Sequence, residues 1–297
     1  MYPIGMYQNG NYKVYILSDG TKIRANNLDS LIPEYPESID LKITNQCDIG
    51  CPMCHENSTF DGKHGDIMSL KFIDTLLPYT ELAIGGGNPL SHPDLVEFLE
   101  YLKSRKIIAN ITVNLIHFDK YYDYIVSLCD RKLVYGVGVS CNVVPPQAII
   151  DKMKSINNLV IHTIAGIIKP ETIIKFMDDG LKVLVLGYKK VRRGLDYYQE
   201  GNPVDRNISK LRQYTKDVIN TEGIISFDNL AIEQLDLKNV LTKDQWNNFY
   251  MGDDGQFSMY IDAVRGRYSV SSTLAQDTSW ELTDNIKDMF NVVRNYS

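Results

Sequence analysis

The sequence predicts an α/β fold: a partial TIM-like (β/α)6 barrel with a small N-terminal β-hairpin and a C-terminal α+β extension. Two observations support this prediction. Six short β-like runs alternate with helical stretches between residues 39 and 188, and repeated strand–helix units imply right-handed crossovers. Several runs are almost continuously apolar, which is typical of strands buried on both faces of a parallel sheet. A doubly wound open sheet is the alternative architecture.

Changes along the chain divide it into three predicted regions. Residues 1–38 form an N-terminal β-hairpin extension, residues 39–190 the barrel core, and residues 191–297 a C-terminal extension. In the first region, Asp19 and Gly20 form a turn pair that favours a tight hairpin. The two strand-like runs beside this pair are Tyr12–Leu17 and Thr21–Arg24.

The core is predicted to contain six strands and five helices. The strands share runs of apolar and β-branched residues and are Ile39–Thr44, Leu82–Ile84, Ile107–Val113, Leu133–Val139, Leu159–Ile164 and Lys182–Leu186. The helices lie between them, at about Ser69–Pro78, Pro93–Ser104, Lys120–Leu128, Pro146–Ser155 and Glu171–Asp179. Pro93 and Pro170 support two of the helix starts, because proline is favoured in the first turn.

The C-terminal extension is predicted to mix helices with strands. Its helices are placed at about Arg206–Asn220, from about Asn229 onward, and at Trp280–Arg294. Its strands are placed at Ile224–Phe227 and in a hairpin, Ser258–Asp262 with Arg267–Val270, which turns at Arg265 and Gly266.

The composition limits the classes of partner. The chain has 297 residues, is 44% hydrophobic and carries a net charge of −6, which disfavours nucleic acid because phosphate binding needs a concentrated basic face. No apolar run is long enough for a membrane span, and the N-terminus lacks the pattern of a secretion signal. These observations predict a cytoplasmic protein without a membrane partner.

Three of the five cysteines lie within eight residues, directly after the first core strand: Cys47, Cys51 and Cys54. Thiolates are soft ligands that suit iron–sulfur clusters and zinc. Three thiolates in one loop can ligate three corners of a cubane cluster and leave its fourth iron open to a substrate. There are two alternatives. One is a zinc site, with His55 or His64 as the fourth ligand of a closed site. The other is that the cysteines have no ligand role.

The motif Cys-x3-Cys-x2-Cys after the first strand, followed by a glycine-rich loop after the second, resembles that of the radical S-adenosylmethionine superfamily over about residues 39–190. The resemblance implies an enzyme with a [4Fe–4S] cluster held by the three cysteines, an oxidoreductase or a transferase. It further implies that the cluster reductively cleaves S-adenosylmethionine to a 5′-deoxyadenosyl radical, which abstracts hydrogen from a substrate. A reductase such as flavodoxin or ferredoxin is the implied electron donor.

The segment Gly85-Gly86-Gly87-Asn88 resembles the Gly-Gly-Glu-Pro segment that binds the methionine part of S-adenosylmethionine in this superfamily. Glycine lets the backbone approach a ligand closely, and its peptide groups can bond the ammonium. Asn88 stands where the superfamily usually has glutamate. A tight strand–helix turn is the alternative interpretation.

Other positions at strand ends match the superfamily less distinctively, and ordinary polar caps are their alternative role. The resemblance assigns contacts with S-adenosylmethionine to Met53, Asn114, Ser140, Asn142, Gly166 and Tyr188. Cys141, at the end of the fourth strand, is predicted as a hydrogen-atom donor to a substrate radical, with a small buried residue as the alternative. His162 is interpreted as a core residue.

The C-terminal hairpin resembles the one that opens SPASM-like auxiliary-cluster domains in radical enzymes that modify peptides and proteins. No cysteine follows Cys141, so we expect a single cluster and a cysteine-free relic of such a domain. A peptide or protein side chain is the predicted substrate. The alternatives are a small anionic metabolite or nucleotide, bound by Lys189, Lys190, Arg192 and Arg193, and a non-catalytic metal-binding or iron–sulfur protein.

Overall fold

The computed structural model describes residues 2–28 and 30–296. A small antiparallel sheet at the N-terminus contains β1 (Pro3–Asn9), β2 (Tyr12–Leu17) and β3 (Lys22–Ala25). The predicted hairpin is therefore confirmed. Strand β1 was not predicted, although Asn9-Gly10 is a strong hairpin signal and Gly10 adopts a φ of +55° in the turn.

A second sheet holds the core. Six of its parallel strands belong to the predicted core: β4 (Ser38–Thr44), β5 (Glu81–Gly86), β6 (Ile108–Asn114), β7 (Gly136–Ser140), β8 (Leu159–Ile164) and β9 (Lys182–Leu186). The helices that follow strands β5 to β8 are α1 (Leu95–Ser104), α2 (Leu115–Lys120), α3 (Tyr122–Asp130), α4 (Gln147–Ser155) and α5 (Pro170–Asp178). The predicted parallel α/β core is confirmed.

The C-terminal extension joins the same sheet. Its strands are β10 (Ile225–Phe227), β11 (Ser258–Asp262), β12 (Arg267–Ser269) and β13 (Trp280–Glu281). The strand order is β10-β9-β8-β7-β6-β5-β4-β11-β12-β13, so over the described residues the sheet stays open, as a partial barrel does. The helices of this region are α6 (Arg193–Gln199), α7 (Val204–Asn220), α8 (Asn229–Gln234), α9 (Leu237–Val240), α10 (Lys243–Phe249) and α11 (Ile286–Tyr296).

The alternation of side chains along β4 explains how the core forms. Ile39, Leu41 and Ile43 are buried in the hydrophobic core, whereas Asp40 and Lys42 line the central cavity of the partial barrel. Successive residues of a strand point to opposite faces of the sheet. One face of β4 therefore packs on the helices, and the other supplies polar groups to the lumen.

Helix α5 shows the corresponding pattern for the outer layer. Pro170 occupies its first turn, and Ile173, Phe176 and Met177 are buried. This spacing of three and four residues places the apolar side chains on one helix face. No helix within residues 2–28 and 30–296 is long and apolar enough to cross a membrane.

Three helix predictions need correction. The predicted helix Ser69–Pro78 is two 3-10 turns, Ile67–Ser69 and Lys71–Thr75, because Leu70 between them has a non-helical ψ of 80°. The predicted helix Lys120–Leu128 is α3, which begins and ends two residues later, and the short helix α2 before it was not predicted.

The last helix begins later than the prediction, at Ile286. Its predicted first residues form β13, which pairs with β12 so that Trp280 lies beside Tyr268, with ring centroids 5.5 Å apart. A cross-strand aromatic pair of this kind stabilises a strand locally. Helix α6 was not predicted; it begins at Arg193, the last residue of the basic cluster.

The N-terminal sheet covers the amino end of the barrel. The carbonyl oxygen of Ser18 accepts hydrogen bonds from the Tyr135 hydroxyl at 2.9 Å and from the Asn158 amide at 3.4 Å. Asp19 and Gly20 of the hairpin turn line the bottom of the lumen. This sheet therefore closes one end of the cavity, and the opposite end carries the cysteine loop.

Candidate active site

A cavity of about 650 Å³ runs through the partial barrel. It is lined by the cysteine loop after β4, the glycine loop after β5, the ends of β6 to β9 and the hairpin turn of the N-terminal sheet. Cavities of this size accommodate cofactors and substrates. Because the carboxyl ends of parallel strands carry the ligand-binding loops, the cysteine end is the candidate active site.

Backbone hydrogen bonds hold the cysteine loop in place. The N–H of Cys47 donates to the carbonyl of Thr59 at 2.8 Å, and the N–H of Thr59 donates to the carbonyl of Asn45 at 3.0 Å. Within the loop, the N–H of Cys54 donates to the carbonyl of Cys51 at 3.2 Å. Gly50 turns the chain with a φ of +66°, a conformation that glycine adopts without strain.

The three cysteines have the chemistry of cluster ligands. All are half-buried free thiols that line the cavity, and burial raises the pKa of the Cys47 and Cys51 thiols. A cation is needed to hold such groups as thiolates. The structure thus brings together Cys47, Cys51 and Cys54, as the sequence predicts.

The three cysteine sulfurs are not close enough together for a preformed zinc site. Four thiolates around zinc, at a Zn–S distance of about 2.3 Å, have sulfurs only about 3.8 Å apart. Among the described residues, the group of potential ligands within 4.8 Å of one another is Cys47, Asp48 and His117, not the cysteine trio. The histidines proposed for zinc have other contacts: His64 bonds the Thr44 hydroxyl at 2.9 Å, and His55 lies 3.4 Å from Glu56. The donor set fits a cubane cluster better than zinc.

His117 was missed by the sequence analysis. It is buried in α2, and its Nε2 lies 2.5 Å from Oδ1 of Asp48, inside the cysteine motif. The hydrogen bond from His117 is the main reason why the pKa of Asp48 lies below its usual value. The contact connects the cysteine loop to the third strand–helix unit. The sequence did not reveal His117, because a histidine just after a strand is too common to be distinctive.

The glycine loop packs tightly against the cysteine loop. Gly86 has a φ of +110°, and a Cβ there would lie 2.4 Å from the carbonyl oxygen of Thr44. A Cβ on Gly87 would lie 2.2 Å from the carbonyl oxygen of Gln46. These glycines are therefore required for the approach of two backbone segments. A Cβ on Gly85 would meet no atom within 4 Å, so Gly85 borders open cavity and fits a cradle for a ligand.

The backbone N–H groups of the glycine loop have partners within the protein. The N–H of Gly87 donates to Thr44 at 2.7 Å and that of Asn88 donates to Gln46 at 2.6 Å, so neither donor is left for a carboxylate of the cofactor, whose ammonium would bind carbonyl oxygens instead. The Asn88 side chain is buried and accepts from the N–H of Leu90, which caps the next turn. Asn88 therefore lies outside the cavity lining and acts as a cap.

Several other predicted residues do reach the cavity, namely Met53, Asn114, Ser140, Asn142 and Tyr188. The amide of Asn114 lies 3.9 Å from the sulfur of Cys51, and its oxygen caps α2. The oxygen of Asn142 accepts from the N–H of Ile164 at 2.8 Å, and the Tyr188 hydroxyl donates to the carbonyl of Gly194 at 2.7 Å. Asn114, Asn142 and Tyr188 therefore also have structural bonds.

Two predicted residues do not reach the cavity. A Cβ on Gly166 would meet Val204 at 2.7 Å and Tyr188 at 3.0 Å, so this glycine allows helix packing instead. Cys141 is buried in the core, and its thiol donates to the carbonyl of Val143 at 2.9 Å. The placement favours the small buried residue over the hydrogen-atom donor, because the thiol has no face on the cavity.

His162 borders the lumen above a glycine. A Cβ on Gly138 would lie 2.4 Å from the imidazole ring, so glycine is needed to seat the ring. Burial lowers the pKa of His162 to about 4. The ring is therefore neutral near pH 7, but it lines the cavity and is only partly buried, so it is not the core residue that the sequence analysis expected.

A buried charge network links the cysteine loop to the C-terminal hairpin. The Lys42 ammonium lies 2.8 Å from Glu56 and 3.2 Å from Asp262, and Arg192 lies 3.2 Å from Glu56. Burial by itself raises the pKa of Glu56, but His55 and Lys42 hold that pKa well below its usual value. The sequence signal was a lysine within the predicted strand Ile39–Thr44 and an aspartate at the end of the predicted strand Ser258–Asp262.

No protein-family model matches the chain. A probable GTP 3′,8-cyclase of Methanococcus maripaludis is 33% identical over 91 residues, which cover 28% of this chain and 30% of that protein. The PqqA peptide cyclase of Gluconobacter oxydans is 23% identical over 94 residues, 30% of this chain and 26% of that protein. The match to these curated relatives thus spans less than a third of their length.

Solved structures of Streptococcus suis SuiB share the fold. SuiB bound to its precursor peptide SuiA has a TM-score of 0.61 and 16% identity, covering 89% of this chain and 65% of SuiB. SuiB bound to S-adenosylmethionine has a TM-score of 0.57 over 88% of this chain and 66% of SuiB, also at 16% identity. These structures confirm the fold. The curated relatives, together with the cysteine loop, confirm the resemblance to the radical S-adenosylmethionine superfamily, enzymes that use a [4Fe–4S] cluster and S-adenosylmethionine.

Proposed function

We propose that this chain reductively cleaves S-adenosylmethionine and uses the resulting radical to abstract hydrogen from a peptide or protein side chain. One observation carries the proposal: the three half-buried cysteines line the same cavity as Gly85. When bound, the [4Fe–4S] cluster supplies the electron for this cleavage. The chain's own residues hold the cofactors, orient the substrate and exclude water.

Each part of the site has a separate task in this proposal. Cys47, Cys51 and Cys54 hold the cluster, and the amide of Asn114 is directed toward the sulfur of Cys51. Hydrogen bonds to ligating sulfurs tune the reduction potential of such clusters. Gly85, Met53 and Ser140 border the space for S-adenosylmethionine.

A peptide substrate is supported by the relatives and by the shape of the cavity. One curated relative is a peptide cyclase, and SuiB has been solved with a precursor peptide. In this chain, the cavity continues from the cysteine loop down to the hairpin turn at Asp19. An open lumen below the radical site suits a side chain that enters from a peptide held at the rim.

A small anionic substrate is the second candidate, because the other curated relative is a GTP cyclase. The basic cluster gives this candidate little support, since its four cations have partners within the protein. Lys189 donates to Ser272, Lys190 to Asp205, Arg192 to Glu56 and Arg193 to the carbonyl of Ser58. Of the four, only Lys189 lines the cavity.

The first test measures cofactor content and cleavage. Anaerobically reconstituted protein should contain close to four irons and four sulfides per chain. Reduced with dithionite in the presence of S-adenosylmethionine, it should yield 5′-deoxyadenosine by mass spectrometry. Cys51→Ala should lose both properties, whereas Cys129→Ala, a matched half-buried cysteine outside the loop, should keep them. Zinc without sulfide in the wild-type protein would refute the proposal.

The second test distinguishes the substrate classes. Peptides with perdeuterated side chains, and separately deuterated GTP, would be incubated with the reduced enzyme and S-adenosylmethionine. Deuterium in 5′-deoxyadenosine reports hydrogen abstraction from the labelled molecule. Transfer from peptides supports the proposal, and transfer from GTP alone favours the nucleotide candidate.

A further inference from the structure

The lumen contains a carboxylate that the proposed cofactor sites do not use. Asp40 lies on the lumen face of β4, two residues before Lys42, and both side chains line the cavity. In the sheet register, Asp40 is flanked by Tyr260 on β11 and by Ala83 on β5. Because Ala83 is small, space remains open beside the carboxylate.

Asp40 and Lys42 have opposite environments. Lys42 is buried and forms ion pairs with Glu56 and Asp262. Asp40 is exposed to the cavity, and within residues 2–28 and 30–296 its side chain has neither a hydrogen bond nor an ion pair. One charged residue of this strand is thus satisfied by the fold, and the other is available to a ligand.

The charges around Asp40 are mostly acidic. Burial raises the pKa of Asp40 to about 6, Lys189 lowers it, and Asp254, Asp228 and Glu56 raise it further. Lys189 is the cation in this set, and its ammonium donates to the Ser272 hydroxyl at 2.7 Å. Above pH 6 the lumen therefore holds an ionised carboxylate with no cation in contact.

A carboxylate that lines a cavity and has no partner within the protein can accept hydrogen bonds from a ligand. Such groups in a cavity are candidates for a functional role. A ligand that brings a positive charge gains a charge-assisted contact there, because it supplies a partner at short range. The acidic neighbours favour a cation over a neutral donor.

We propose that Asp40 is a substrate-specificity residue that binds an ammonium or guanidinium group of the substrate inside the barrel. The inference rests on the proposed function, since it places the substrate in the same cavity. It names the chemical class of the group that is bound: the end of a slender cationic side chain, such as that of a lysine or arginine within a peptide.

Binding of small probes tests the inference without any turnover. The probes are n-pentylammonium, neutral 1-pentanol and anionic pentanoate, titrated calorimetrically into the anaerobic, cluster-loaded enzyme at pH 7.5. The wild-type protein should prefer n-pentylammonium, and Asp40→Asn should weaken its binding at least about tenfold, because a charge-assisted contact is lost. Asp217→Asn, an exposed carboxylate on α7, is the matched control and should bind as the wild type does.

The pH dependence provides a second measurement, which does not depend on the folding of a variant. A carboxyl group with a pKa of about 6 is only about one-tenth ionised at pH 5, so n-pentylammonium should bind the wild-type protein about tenfold more weakly there than at pH 7.5. Lys189, Asp228, Asp254, Glu56 and His55 also face this region. A pH dependence that persists in Asp40→Asn would assign the effect to one of them and overturn the inference.

The two proposals can fail separately. Equal binding of the three probes, or unchanged binding in Asp40→Asn, overturns the inference even if the enzyme forms 5′-deoxyadenosine. Absence of a cluster and of 5′-deoxyadenosine refutes the proposed function, whatever the probes show.

Discussion

Lys42 offers the sharpest test of how the cysteine loop is held. Replacing Lys42 with methionine keeps most of the length of the side chain and removes its charge. The Lys42 side chain is 2% exposed, and its partners Glu56 and Asp262 are 7% and 5% exposed. The substitution therefore leaves two buried carboxylates, of which Glu56 keeps Arg192 at 3.2 Å and Asp262 keeps the backbone N–H of Arg265.

Removal of one partner from a buried ion pair typically costs about 3–5 kcal/mol. We expect Lys42→Met to lower the free energy of unfolding by this amount, measured by urea denaturation of the cluster-free protein. Lys71→Met is the control: Lys71 lies 3.4 Å from Asp284, but both side chains are more than 70% exposed. An exposed pair contributes about 0–1 kcal/mol.

A double variant separates the network from simple loss of packing. Lys42→Met combined with Asp262→Asn should recover part of the lost stability, because one of the two unpaired charges is also removed. If Lys42→Met costs no more than Lys71→Met, the ion pairs do not stabilise the fold, and the reasoning that they anchor the loop is refuted.

Further predictions concern the loops, the remaining cysteine and acid stability. Gly87→Ala should destabilise the protein by about 1–3 kcal/mol and reduce the iron content after reconstitution, because its Cβ would lie 2.2 Å from the carbonyl of Gln46. Gly85→Ala has free space for its Cβ, so it should keep the iron content and weaken equilibrium binding of S-adenosylmethionine; equal iron loss in both variants would contradict this distinction. Cys141→Ala should retain formation of 5′-deoxyadenosine and substrate turnover at an unfolding cost of about 1 kcal/mol, and loss of turnover in a folded variant would restore its role as a hydrogen-atom donor. The pKa of Glu56 in the folded state lies below its ordinary value of 4.5, so its stabilising contribution is present above that pH and is lost as the pH falls further. Glu56→Gln should therefore flatten the fall of the urea midpoint between about pH 5 and about pH 3, and an unchanged slope would exclude Glu56 as a source of acid sensitivity.

The sequence alone predicted the parts of this protein that depend on local patterns. Strands β8 and β9 begin and end at the predicted residues, because continuous apolar runs mark buried parallel strands. The cysteine loop could also be predicted from the sequence, since its three cysteines lie within eight residues. The C-terminal hairpin was predicted from the turn at Gly266, which adopts a φ of +66°.

Only the tertiary structure decided which charges are satisfied. The pairing of β11 with β4, which lie more than two hundred residues apart in the chain, brings together Lys42, Glu56 and Asp262. Local sequence patterns do not predict such a long-range pairing. The same register leaves Asp40 facing open space beside Ala83. Backbone bonds to Thr44 and Gln46 likewise engage the N–H groups of Gly87 and Asn88, and the cap on Leu90 keeps the Asn88 side chain out of the cavity lining. Local sequence specifies which groups are present, whereas long-range packing determines which of them remain free to bind a ligand.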